Sequence, residues 1–392
     1  MTTTDHYDAV VVGARAAGAA TAMLLARQGR RVLALDRAPF GSDTPSTHAL
    51  MKGGVLQLHR WGLLDRIRDA GTPALHRTVV HYADAEIVIP IEDDGDLDAL
   101  YAPRRTVLDP MLAVAASEAG ADVRFETSVD ALLRGPDGEV TGVVYRSESG
   151  RTVEAGATIT IGADGVRSRV ARSVAAPLTH TGSHASAVVY AYFAEADIDG
   201  FQWFFRPGGG AGMIPTNDGV LVYVAIPSAR FETELRPDIE AGFWHALRRD
   251  APEAAERLTP SGRTSRFFVH AGTIGYQRRP AGPGWALVGD ASHFKDPISA
   301  HGLTDALRDA EILARALGPA LDDPRSATAA LAGYEAERDR LSTTMFDLAD
   351  RVAAYDWSPD EARTLLKGMS RCMAVEVEAI RDLDAPAPVR AA

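Results

Sequence analysis

DAVVVGARAAGAATAMLLARQGRRVLALD, residues 8–36, is the stretch on which the reading of this chain turns. Its opening is continuously apolar from Tyr7 to Val12 apart from Asp8, as expected for a central parallel strand buried on both faces, and the run stops at Gly13. Ala16 to Gln28 is rich in Ala and Leu and reads as a helix, Gly29 supplies its stop, and RVLALD then forms a second strand ending in Asp36. Strand, turn, helix and strand in that order make a βαβ unit. Within GARAAG, Gly13 permits a tight turn and Gly18 lets the helix pack closely on the strand. Asp36, followed by Arg37, stands where a carboxylate accepts from a ribose 2′-hydroxyl, and the helix start at Ala16 and Ala17 faces a pyrophosphate. The unit is therefore a dinucleotide site with one departure. Arg15 replaces the second glycine, and it either sets its guanidinium on phosphate oxygens or is a solvated residue at a helix start.

Composition narrows the class of protein that carries this unit. A chain of 392 residues exceeds one minimal core, so two interleaved domains are expected. Hydrophobic residues make up 46% and charged residues 24%, without an apolar stretch of the roughly 20 residues a membrane helix needs. MTTTDHYD lacks the basic and apolar regions of an export signal, which leads us to expect a soluble, cytoplasmic protein. The formal charge of −12 argues against a nucleic-acid or anionic-membrane partner and leaves a small molecule. The lone Cys372 excludes an internal disulfide and paired-thiol redox chemistry, and we assign it no role. No metal is expected, because His6, His48, His59 and His76 do not form a ligand spacing with nearby carboxylates.

Two downstream segments separate the possible dinucleotides. TITIGADGVRSRVAR, 158–172, is an apolar strand running into Gly162, Asp164 and Gly165, followed by Arg167 and Ser168 at a helix start. WALVGDASHFKDPISAHGLTDALRDAEILARAL, 285–317, is a strand, then Gly289 and Asp290, a loop through Pro297, and a long amphipathic helix. Taken alone they are two ordinary strand–turn–helix units. Together with residues 8–36 they resemble the three fingerprints of the class A flavoprotein monooxygenases, the para-hydroxybenzoate hydroxylase-like group, over nearly the whole chain.

That resemblance implies noncovalently bound FAD, with NAD(P)H as a transient electron donor that has no domain of its own. It implies that Asp164 and Gly165, with Arg167 and Ser168, serve FAD and the visiting nicotinamide, and that Asp290 accepts from the ribityl chain. The family continues as PxxGxGxN, placing a helix start beside the flavin pyrimidine, where the helix dipole favours negative charge. Here the string is PISAHGLT: Pro297, Gly302 and Leu303 occupy the motif, Ala300 and Thr304 replace a glycine and an asparagine, and His301 intervenes. His301 and Pro297 are the weak catalytic candidates, since the flavin itself carries the reaction; His301 otherwise caps the helix, and His293 reads as structural. HALMKGGVLQLHRWGLL, 48–64, resembles a helix of the family that places Lys52 on the cofactor phosphates. APRRTVLDPML, 102–112, resembles the segment whose arginine meets the ribityl region; this selects Arg105, with Arg104 as its solvated neighbour. The loop GSDTPSTHAL lines the flavin edge in this reading, and its His48 is a weak candidate on the substrate side.

Between these motifs AVVYAYFAEADI, FQWFFRPGGGAGMIP, GVLVYVAIP and SRFFVHAGTI alternate in the manner of antiparallel strands with one covered face. By resemblance they form a sheet that roofs the flavin, with Tyr190, Tyr192, Trp203, Phe205 and Met213 as pocket candidates and His270 and Arg206 as polar ones. The expected fold is α/β: a Rossmann-type FAD-binding domain in pieces 1–75, 100–180 and 275–340, an antiparallel-sheet substrate domain in 76–99 and 181–274, and a helical C-terminal segment, 341–392. The expected activity is hydroxylation of a small aromatic or secondary-metabolite substrate, by a monomer or homodimer. A polyprenyl reductase-like flavin dehydrogenase is the runner-up; then a flavin halogenase, against which the WxWxIP signature is absent, and a noncatalytic flavin-binding scaffold.

Overall fold

The computed structural model describes residues 5–383 apart from 148, 195–197 and 260–261. Its first layer is an eight-stranded sheet. Asp5–Val12 lies at the centre, parallel to Val32–Leu35 on one side and to Thr152–Gly162 on the other. Trp285–Leu287 and Asp122–Arg124 extend the parallel set outward. Both faces of this sheet are covered. Val11 and Ala9 pack with the fingerprint helix Ala16–Arg27 and the long helix Gly302–Ala320, whereas Val10 and Val12 join Leu33, Val143 and Leu287 on the opposite side. Two-sided burial is why these strands read as unbroken apolar runs instead of alternating ones.

A second, seven-stranded sheet runs in the order Phe268–His270, Ser186–Phe193, Gly219–Pro227, Gly209–Thr216, Phe201–Arg206, Arg77–His81, Glu86–Pro90. Its strands are antiparallel except where Phe201–Arg206 meets Arg77–His81. One face turns toward the first layer and carries Tyr190, Tyr192, Trp203, Phe205 and Tyr223. The other packs against the helix Ile239–Asp250, burying Val189, Ala191, Phe204 and Met213 with Phe243 and Trp244. The expectation of one covered face is thus corrected to two: Ser186–Phe193 is buried at every residue, because that helix closes the side that would otherwise meet water. The C-terminal part consists of two helices, Ala327–Val352 and Pro359–Arg381, so the helical segment begins well before position 341; residues 384–392 lie outside the described part. Among the described residues no helix is long and apolar enough to cross a membrane.

Candidate active site

The fingerprint turn is built as its glycines dictate. Gly13 sits at φ +100°, and a Cβ there would fall 2.5 Å from the carbonyl oxygen of Ala163. A Cβ on Gly18 would lie 1.8 Å from the Gly13 carbonyl oxygen, so the helix can approach the strand only with hydrogen at that position. Asp36 is buried at the end of the second strand and accepts from the amides of Ala14 and Ala38, both at 2.8 Å. Beside it a shallow groove is lined by Ala14, Arg15, Asp36, Gly41, Ser42 and Pro110. Arg15 leans across this groove: its Nη2 is 3.4 Å from Ser42 Oγ and from the Asp43 carbonyl, and Nη1 is buried without a partner among the described residues. Arg37 is exposed.

The middle segment closes on itself. Asp164 accepts from Ser168 Oγ and the Arg169 amide, both at 2.5 Å, so its carboxylate fixes the turn and the start of the short helix Arg169–Ser173. Gly165, at φ +75°, has nothing within 4 Å of where a Cβ would stand, and Arg167 is exposed. The third segment meets the first: Gly289, at φ +59°, would place a Cβ 3.0 Å from the Cβ of Ala17, so the GD turn abuts the fingerprint helix. The carbonyl of Asp290 accepts from Tyr276 at 2.6 Å, while its carboxylate has no partner among the described residues. Burial pushes that carboxyl up to about 6, against the opposing pull of His293 and Arg105. Arg105 forms a two-pronged ion pair with Asp109, at 2.9 and 2.8 Å.

One buried carboxylate joins this turn to the seven-stranded sheet. Asp296 accepts from the Ser186 amide at 2.6 Å, from Ser186 Oγ at 2.7 Å and from the Ile298 amide at 2.9 Å, and Ser186 Oγ also meets Tyr355 Oη. The residue that opens Ser186–Phe193 is therefore fastened to the loop that carries Pro297. On that strand Tyr190 Oη accepts from the Ser46 amide, Tyr192 Oη shares a hydrogen bond with His48, and Phe268 stacks on Tyr190 with centroids 4.8 Å apart.

A sequence profile described as FAD binding domain matches residues 6–349. The chain belongs to that family. It resembles Squalene epoxidase 3 of Arabidopsis thaliana at 25% identity over 92% of this chain and 70% of that protein. The Menaquinone reductase of Mycolicibacterium smegmatis is 29% identical over 78% of this chain and 75% of its own length. Among solved structures, PqsL of P. aeruginosa in complex with 2-aminobenzoylacetate aligns with a TM-score of 0.80 at 25% identity, covering 93% of this chain and all of that one, 100%. The fold is that of the class A FAD-dependent monooxygenases, as the three fingerprints implied, and the chain is an FAD-binding oxidoreductase.

The FAD-binding family's cofactor can be tested against the residues present, and they fit. Asp290 offers a half-buried acceptor left unbonded among the described residues, Gly302 has open space where a Cβ would point, and the groove at Asp36 borders the fingerprint turn. Ala300 keeps the backbone of the family's glycine: it adopts φ +48°, ψ 27° as the cap of the single turn Pro297–Ser299, and Gly302 and Leu303 then open the long helix. Thr304, in place of the asparagine, accepts from the Met51 amide at 3.1 Å, and Gly53 and Gly54 leave room for it.

Other expected members of the site stand elsewhere. Met213 is corrected from pocket to core, because on Gly209–Thr216 it alternates away from Ile214 and into the layer under Ile239–Asp250. Lys52 has a different partner from the expected phosphate: it pairs with Asp94, which also binds Arg381. His301 is 2% exposed and makes no cap bond; its Nε2 is 2.7 Å from Glu376 on the last helix. Trp203 donates to Thr78 at 2.8 Å and Phe205 packs near Trp357. His270 and Arg206 lie off the Tyr190–Tyr192 cluster, Arg206 donating to the His81 carbonyl. His301, Asp305 and Glu376 approach closely enough for a cation, but Lys295 and Arg308 already pair with those carboxylates.

Sequence reasoning missed Asp296, Glu376 and Arg104. Asp296 had a local signal, an Asp-Pro opening the single turn. Glu376 had none, because its partners lie on another helix far along the chain. Arg104 was read as solvated, yet its Cζ stands 3.8 Å from the ring centre of Tyr192 and its Nε is buried.

Proposed function

We propose that this chain is an NAD(P)H-dependent FAD monooxygenase that hydroxylates a small aromatic or related secondary-metabolite substrate. The observation that carries the reading is the aromatic face of buried Tyr190 and Tyr192 and half-buried Phe268, fastened through Ser186 and Asp296 to the loop that precedes the helix start at Gly302. FAD, when bound, supplies the redox chemistry, taking electrons from the nicotinamide and passing oxygen from O2 to the substrate. The residues of the chain do the rest. Asp290 would accept from the cofactor's hydroxyls, and the helix N-terminus at Gly302 and Leu303 would favour negative charge on the bound flavin through its dipole. The aromatic face holds a flat substrate and excludes water, which oxygen transfer needs more than simple dehydrogenation does. The squalene epoxidase and PqsL likenesses support oxygen insertion. We further propose a monomer or homodimer working in the cytoplasm, without nucleic-acid or membrane partners.

A second reading is a flavin-dependent reductase of a polyprenyl or quinone side chain. It is favoured by the 29% identity to menaquinone reductase and by the altered PISAHGLT string. Turnover with NADPH or NADH under 18O2, with product analysis by mass spectrometry, decides between them. Label in the product supports the monooxygenase; a reduced, unlabelled product and no oxygen consumption establish the reductase.

A further inference from the structure

Two arginines stand side by side at the start of the helix Arg105–Glu118, and the protein treats them differently. Arg105 is neutralised by the two-pronged pair with Asp109. The Arg104 guanidinium has no carboxylate, carbonyl or hydroxyl partner among the described residues; its contact is the face of Tyr192 at 3.8 Å. It is half-buried, with Nε wholly enclosed. The same tyrosine bonds His48, which is 0% exposed and whose Nδ1 has no partner among the described residues. Burial, reinforced by Arg105 and Arg104, holds the imidazole neutral by keeping its pKa well below 6.5. His48 also takes φ +65°, a left-handed conformation that strains a non-glycine residue and so has to be held by its surroundings.

A cation left uncompensated in a partly desolvated place is costly, and an incoming anion removes that cost. We propose that Arg104, His48 and Tyr192 form an anion subsite on the substrate side of the flavin, and that the substrate carries a carboxylate there. Arg104 grips the carboxylate with two parallel N–H donors, Tyr192 stacks beneath the guanidinium and fixes its plane, and His48 orients the Tyr192 hydroxyl. The inference rests on the assignment of the aromatic sheet face as the substrate side, but not on the outcome of turnover.

The test titrates FAD-loaded protein with benzoate and with its neutral isostere benzamide, reading perturbation of the flavin absorbance. Wild-type protein is expected to bind benzoate at least about tenfold more tightly than benzamide, as one charge-assisted hydrogen-bonded contact would give. Arg104→Met is expected to abolish that preference while FAD affinity stays at the wild-type value. If Arg104→Met does not fold, Arg104→Lys serves: it keeps the charge but loses the fork, so benzoate weakens several-fold and benzamide does not. Equal binding of the two probes by wild type, or a preference that survives Arg104→Met, overturns the subsite. Loss of FAD from Arg104→Met also overturns it, by making the cofactor the anion that Arg104 holds. A benzoate preference that depends on Arg104 in an enzyme that fails the 18O2 experiment leaves the subsite standing and removes only the monooxygenase reading.

Discussion

His301 and Glu376 meet at 2.7 Å across two helices, 75 positions apart in the chain, and both are buried. Glu376 accepts as well from Arg308 Nη1 at 2.7 Å, and Arg308 is bound in turn by Asp305 and Asp309. The last helix thereby supplies a charge to the first turn of the helix that opens beside the proposed flavin site. Removing one member of such a network strands the others, which costs about 3–5 kcal/mol. We expect Glu376→Ala to lose that much stability in urea unfolding, with Glu376→Gln losing less because it keeps an acceptor. An unchanged unfolding midpoint in Glu376→Ala would show that the network is not needed.

Asp290 predicts how FAD affinity depends on pH. Burial holds its carboxyl at about 6 in the folded chain, against 3.8 ordinarily. Between those values the folded protein retains a proton that the unfolded chain has released, so the stability contributed by that proton is present at low pH and lost as pH rises toward 6. Sugar hydroxyls donate to the ionised form, and FAD therefore binds more tightly as pH climbs from 5 to 7. Flavin fluorescence on dilution measures this; in Asp290→Asn the dependence over that range is expected to flatten.

Two positions of the glycine fingerprints predict opposite outcomes. Gly18→Ala is expected to give protein that holds no flavin or does not fold, since its Cβ would overlap the Gly13 carbonyl. Ala300→Gly restores the family's residue at a left-handed position, where relief of strain and added chain entropy oppose each other, so its melting free energy should stay within about 1 kcal/mol of wild type. Absorbance at the flavin band and thermal melts read both.

Met213 separates core from pocket. Truncating it to Ala leaves a cavity beside Phe243 and Trp244 and is expected to cost about 2–5 kcal/mol. The flavin spectrum and benzoate affinity should be unaltered. A spectral shift in Met213→Ala would return the residue to the pocket.

Much of this architecture was legible in the sequence, and the reasons differ from place to place. The fingerprint and the GD turn announce themselves because glycine, acid and apolar run are needed within a few residues of one another, as Gly13, Gly18 and Asp36 show. The face on which Met213 falls was not legible, because strands buried on both sides lose the alternation that would betray it. The same holds for Arg104 and Arg105, two identical side chains told apart only by Asp109 one helical turn away and Tyr192 on the distant sheet. Lys52 was placed by analogy, and the acidic loop that captures it carries no pattern pointing back to it.

The bonds from Asp296 to Ser186 bear on how a substrate gets in. They tie the sheet that roofs the proposed substrate side to the loop beneath it, so swinging the sheet away would tear a carboxylate from two donors at once. Sheet and loop then travel as one piece, and entry falls to a wall that is tied less firmly. Gly41 to Leu50 is such a wall: it reaches the sheet through single bonds from Ser46 and His48, and in this protein admission and recognition would fall to the same few residues.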